Sequence, residues 1–126
     1  MPKLTNFRWQ ILWSLLLSTT VAGSLLPCFG IHSNIFSLYL NENWVHFLAY
    51  AALSYIPMLT WKRKTALAIG TGEGFIGAAL EVVRAIAGAH PLNIQYIVIN
   101  LLGIGAGILL GLNILTRQSR ISQADV

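Results

Sequence analysis

The chain has 126 residues, 56% of them hydrophobic and only 10% charged, with eight Lys and Arg against four Asp and Glu. A soluble domain carries about a quarter charged residues, so the polar material needed to coat a water-exposed globule is missing, and a mean hydropathy of +0.67 places the chain in the membrane class. A net charge of +4 spread over so few cations makes no nucleic-acid-binding face, and the single cysteine, Cys28, excludes an internal disulfide framework and a cysteine-based metal cage.

Charges divide the sequence into four apolar stretches, at about residues 9–28, 44–61, 65–88 and 93–115. A helix spanning a bilayer needs about 20 predominantly apolar residues, with roughly 17 to 25 tolerated. The expected fold is therefore all-α: a single domain built as a bundle of four transmembrane helices. The first stretch has a basic leader, Lys3 and Arg8, and small residues at Val21-Ala22-Gly23 that resemble a signal-peptide cleavage site. Apolar residues continue to Phe29, beyond the length of a secretory core segment, so it reads as the first helix. Pro27 and Gly30 are expected to end that helix, residues 30–43 to form a loop or interfacial segment, and the tail at 119–126 to be frayed or disordered.

Lys3 and Arg8 precede the first helix, Lys62, Arg63 and Lys64 separate the second from the third, and Arg117 and Arg120 follow the fourth. The segments at 30–43 and 88–92 contain no Lys or Arg. The positive-inside rule then puts both termini in the cytoplasm of a cell whose inner membrane the chain crosses four times. Trp9, Trp44 and Trp61 fall at the expected interfaces, where tryptophan is enriched.

Ionisable residues within spans mark where polarity has been tolerated at a cost of about 2.5 to 3.5 kcal/mol each. The third helix carries Glu73, Gly77, Glu81, Arg84 and Gly88 on one helical stripe, which must face the bundle or a wet cavity. Glu81 and Arg84 are three apart, near the outer end; the spacing suits a structural ion pair and a functional site equally. Glu73 is deeper, has no cation on its own helix within reach, and is expected to be neutral and hydrogen-bonded to a neighbouring helix. The second helix opens with Glu42, Asn43 and His46, with Tyr50 one turn deeper. His32, His46 and His90 form no metal-ligand spacing, and neither a metal nor a cofactor is expected.

On the fourth helix Asn93 and Asn100 lead into Gly103, Gly107 and Gly111 at four-residue spacing, and the third helix has a counterpart in Ala66, Gly70, Gly74 and Ala78. Small-residue stripes let membrane helices approach closely. The expectation is that Gly70, Gly74 and Ala78 meet Gly103 and Gly107, within one molecule or between two copies. Gly72-Glu73-Gly74-Phe75-Ile76-Gly77 fits a dinucleotide-binding pattern, but with no strand before it the match is accidental. Neither a G-x-S-x-G elbow nor an H-E-x-x-H pair occurs.

The order Glu42-Asn43-Trp44-Val45-His46-Phe47-Leu48-Ala49-Tyr50, then Glu81-Val82-Val83-Arg84, then Asn100-Leu101-Leu102-Gly103 with Gly107 resembles the VanZ-like family of small bacterial membrane proteins over about residues 25–112. That family has Asp-Lys-x-x-His-Phe-x-x-Tyr opening a helix, Glu-x-x-Gln at a helix end, a loop Arg, and Asp-x-x-x-Asn-x-x-Gly. Here Glu42 replaces the Asp, Asn43 the Lys, Arg84 the Gln and Tyr96 the second Asp, while His90 and Pro91 stand where the loop Arg would be. The resemblance implies an envelope protein of a family whose namesake is associated with resistance to the lipoglycopeptide teicoplanin, with Arg84 supplying from the helix the cation that the family supplies from the loop.

Glu42, His46, Tyr50, Glu81, Arg84 and Asn100 all fall toward the outer leaflet in this topology, where a polar cluster meets lipid headgroups, lipid-linked wall precursors or amphiphilic drugs. The leading expectation is a pocket that binds an amphiphile without chemistry, the bilayer being its other partner. Two alternatives differ in class: a membrane enzyme with Glu81 or His46 as general base, and an assembly subunit whose glycine stripes pair, as in a homo-oligomer. Without a nucleophile-base-orienter pattern the enzyme reading is the weaker.

Overall fold

The computed structural model describes residues 3–30 and 42–124, with side chains from Phe7 onward in the first segment and from Asn43 onward in the second. Four helices account for most of it: α1 Lys3–Leu25, α2 Glu42–Thr60, α3 Arg63–Ile86 and α4 Ile94–Ala124. No strand occurs among the described residues. The loop expected at 30–43 lies, apart from its ends, outside the described residues.

Helix ends follow local chemistry. α1 gives way to a single 3-10 turn, Leu26–Phe29, that contains Pro27 and stops at Gly30, whose φ of 74° is left-handed. α3 ends in a Schellman-type turn: Gly88 takes φ 77°, the Ala89 N–H donates to the Arg84 carbonyl and the Gly88 N–H to that of Ala85. Asn93 caps α4, its Oδ1 accepting from the Gln95 N–H at 3.0 Å.

Three segments are long and apolar enough to cross a membrane: Phe7–Phe29, Arg63–Ile86 and Ile94–Ala124. α2 has the length, at 19 residues, but Asn43, His46 and Ser54 dilute its apolarity. Its position explains why this is tolerated. α2 packs against all three other helices and contributes most of the core: Tyr50, Leu53, Ser54, Ile56, Pro57 and Met58 are buried. Trp13, Leu16 and Leu17 of α1 and Ile104 and Ile108 of α4 close around Tyr50 and Leu53. The outward faces carry Leu15, Phe75, Val83, Leu102 and Leu109, all exposed and apolar, as lipid-facing surfaces are.

Two expectations are corrected. Residues 119–124, expected frayed, continue α4, which at 31 residues is about 46 Å long and outruns a hydrocarbon core of about 30 Å. The glycine stripe of α4 faces α2 rather than α3. A β-carbon on Gly103 would lie 2.5 Å from the Phe47 carbonyl oxygen, one on Gly107 would overlap the Ala51 carbonyl, and one on Gly111 would lie 2.5 Å from the Met58 Cβ. Gly70 and Gly74 do face α4, but what they accommodate are the branched side chains of Ile108, Ile104 and Leu101. α2 offers backbone and small side chains, Ala51 and Ser54, at that contact, whereas α3 uses its own glycines to admit larger residues; glycine against glycine was not needed.

Candidate functional site

At the end of the bundle that carries the α3–α4 turn, Ser24, His46, Tyr50, Gly77, Leu80, Glu81, Arg84 and Asn100 line one small cleft. Helical spacing delivers them: His46 and Tyr50 are one turn apart on α2, and Gly77, Glu81 and Arg84 share the buried stripe of α3. The space between them is too narrow for a water molecule in this conformation.

Glu81, 2% exposed, is the hub. Its Oε1 accepts the Asn93 backbone N–H at 3.0 Å, and Arg84 Nη1 lies 3.6 Å from its Oε2. The first contact ties the end of α3 to the N-cap of α4 and sets a carboxylate against a helix N-terminus, where negative charge is favoured. His90 Nδ1 lies 3.5 Å from Glu81 Oε1 and 2.7 Å from its neighbour's Pro91 carbonyl, which is a hydrogen bond when that nitrogen carries the proton.

Above this pair, Tyr96 is an aromatic platform. His46 stacks on it with ring centroids 5.0 Å apart, His90 meets it edge-on at 6.0 Å, and the Arg84 guanidinium carbon lies 5.8 Å from the ring centroid. Three buried polar atoms of the cluster have no partner: the donor Arg84 Nε and the acceptor Asn100 Oδ1, both of residues lining the cleft, and His90 Nε2 beside it. Such groups are uncommon in folded proteins because each costs about 1–3 kcal/mol.

Of the residues singled out in the sequence, His46, Tyr50, Glu81, Arg84 and Asn100 are brought together. The side chain of Glu42 lies outside the described residues. Sequence reasoning passed over Ser24, His90 and Tyr96 as members. Tyr96 was visible only as a departure from the VanZ-like pattern, His90 only as a loop residue, and Ser24 belongs to a helix whose low-charge sequence gave no register. Among the described residues, no three His, Cys, Asp or Glu side chains are grouped so as to hold a metal ion.

A second polar group lies deeper. Trp13 Nε1 donates to the Leu53 carbonyl at 2.9 Å and to Glu73 Oε1 at 3.2 Å, while Glu73 Oε2 is buried without a partner. The hydrogen bond to a neighbouring helix expected for Glu73 is thus formed by α1.

The fold and the cleft define a class, an all-helical protein with three helices long and apolar enough to cross a membrane and a buried charged cluster at one end. Comparison of the chain with protein-family models, with curated proteins and with solved structures finds no match.

Proposed function

We propose that this chain is a four-span, VanZ-like protein of a bacterial inner membrane, with both termini cytoplasmic, whose Glu81–Arg84 cleft, closed in this conformation, widens toward the outer leaflet to bind the polar head of an amphiphile. The observation that carries the reading is the pair of unpartnered atoms, Arg84 Nε and Asn100 Oδ1, buried in a cleft also lined by the polar side chains of Ser24, His46 and Tyr50. A headgroup offering both an acceptor and a donor, such as the phosphate and hydroxyls of a glycerol or sugar head, satisfies both. Glu81 then acts as a positioning residue: it holds the Arg84 guanidinium between its own carboxylate and the Tyr96 ring. The acyl chains remain on the lipid-facing surface.

Short-chain phosphatidylglycerol titrated into the detergent-purified protein and followed by native mass spectrometry tests the reading. Wild type should retain the lipid, Asn100→Ala should lose it with folded yield near normal, and Glu81→Gln should lose it in the fraction that folds. No retention, or retention indifferent to both changes, contradicts it.

An enzyme reading draws on the same cleft, because Ser24, His46 and Glu81 supply a hydroxyl, an imidazole and a carboxylate there. It ranks second because Glu81 is already engaged by the Asn93 N–H and Arg84, which weakens it as a general base. An assembly reading through the glycine stripes loses support because both stripes are filled within the chain.

A further inference from the structure

Glu73 is 2% exposed, and one of its oxygens has no partner. It lies about 15 Å along the 24-residue α3, whose full length is about 36 Å, which is close to mid-membrane in the topology proposed above. In either protonation state the carboxyl is incompletely satisfied: Trp13 serves only Oε1, and no cation pairs with it among the described residues.

The two directions away from Glu73 along the bundle differ in kind. Toward the α2–α3 connection the interior is apolar: Met58 and Ala66 are buried, Ile108 packs over Gly70, and Trp13 and Trp61 meet edge-on with centroids 5.5 Å apart. Toward the cleft it is polar. Gly77 lies one turn from Glu73 and one turn from Glu81 on the same buried stripe, and its missing side chain leaves a notch. A β-carbon there would lie 2.9 Å from the Tyr50 hydroxyl oxygen and 3.2 Å from Asn100 Nδ2. Both side chains therefore border the Gly77 notch, which lies between Glu73 and Glu81 on the stripe, and the Glu73 oxygen that could receive a proton there is the unpartnered Oε2, with no hydrogen bond joining it to the Tyr50 hydroxyl in this conformation.

We infer that Glu73 is a mid-membrane proton-binding site that exchanges with the outer face through Tyr50 and the Glu81 cleft, and is closed to the cytoplasmic face. A proton arriving at the cleft passes to the Tyr50 oxygen as the hydroxyl releases its own to the Glu73 carboxylate, so that Tyr50 is unchanged and one carboxylate becomes a carboxylic acid. Several groups surround this route. α1 presents Trp13, α2 presents Tyr50 and, further out, His46, α4 presents Asn100, and α3 itself carries Glu81 and Arg84. The inference does not depend on the cleft binding an amphiphile, only on the four-span topology.

Infrared difference spectroscopy on the full chain in lipid nanodiscs tests it. A carboxylic-acid carbonyl band that titrates with pH and exchanges in heavy water is assigned to Glu73 by its loss in Glu73→Gln or, should that variant not fold, by its change of frequency in Glu73→Asp. Tyr50→Phe, which keeps the ring and removes the hydroxyl, should slow exchange of that band by about a hundredfold, the scale of losing one positioned proton-transfer group. Trp61→Ala, which thins the apolar side, should open a second route and restore fast exchange in the Tyr50→Phe background. Absence of any titrating band assigned to Glu73, or exchange indifferent to Tyr50→Phe, overturns the inference. Lipid retention as in the titration above is a separate readout, so failure of either proposal is recognisable alone.

Discussion

Gly107 of α4 lies so close to the Ala51 carbonyl of α2 that even a methyl group would overlap it. The contact sets the distance between the two helices that form most of the core, and no side chain can relax to relieve it, because the obstacle is backbone. Overpacking costs about 1–3 kcal/mol and occasionally more. Gly107→Ala is therefore expected to fall at or above the upper end of that range in a denaturant titration in detergent. A β-carbon on Gly105, two residues earlier, would meet nothing beyond its own helix within 4 Å. Gly105→Ala should stabilise the helix by up to about 1 kcal/mol by removing an interior glycine, and equal losses from both changes would refute the assigned interface.

Ser54 adds a polar tie at the same contact. Its hydroxyl donates to the Tyr50 carbonyl at 2.8 Å within α2 and lies 3.1 Å from the Ile104 carbonyl on α4. Hydrogen bonds between membrane helices average about 0.6 kcal/mol and reach about 1.7. Ser54→Ala should cost a value in that range, much less than Gly107→Ala, and a larger loss would show that the hydroxyl rather than close packing holds the pair.

Glu81 and Arg84 are 3% and 8% exposed at the side chain. Removing one partner of a buried pair leaves an uncompensated charge at a cost of about 3–5 kcal/mol, whereas replacing both with apolar groups of similar volume is often neutral. Glu81→Ala should destabilise within that range, and Glu81→Leu with Arg84→Met should recover most of it while abolishing lipid retention. A double variant that still retains lipid would show that the pair is structural only.

The residues of the cleft were legible in the sequence because charge is expensive in an apolar segment, so Glu81, Arg84 and Asn100 stood out against their surroundings. Helical periodicity then placed them on inward faces. The partner of the α4 glycines was not legible. Gly103, Gly107 and Gly111 announce a close approach without naming the helix that makes it, and the complementary surface on α2, Ala51 and Ser54, carries no stripe of its own. Nor did hydropathy reveal that α2, the one helix not among the three apolar enough to cross a membrane, is the one the others wrap. Trp13 read as one large apolar residue among many, and its bond to Glu73 depends on a packing of α1 that its sequence does not encode by periodicity.

Topology has its own check. With seven of the eight cations in the first turns of α1 (Lys3, Arg8), at the α2–α3 connection (Lys62, Arg63, Lys64) and in the last turns of α4 (Arg117, Arg120), a reporter active only outside the cytoplasm should stay silent when fused after Val126 and become active when fused within 88–92. Activity at the C-terminal fusion would invert the orientation and put the Glu81 cleft on the cytoplasmic leaflet.

The central claim is that the cleft holds a polar headgroup, and a crystal structure grown from a lipidic mesophase tests it most directly. The account predicts density for a lipid or amphiphile head within hydrogen-bond distance of Arg84 Nε and Asn100 Oδ1, with Glu81 still on the Asn93 N–H. A cleft closed as it is here, with both atoms unpartnered or turned toward protein groups and lipid confined to the outer faces of α1 and α3, would contradict it.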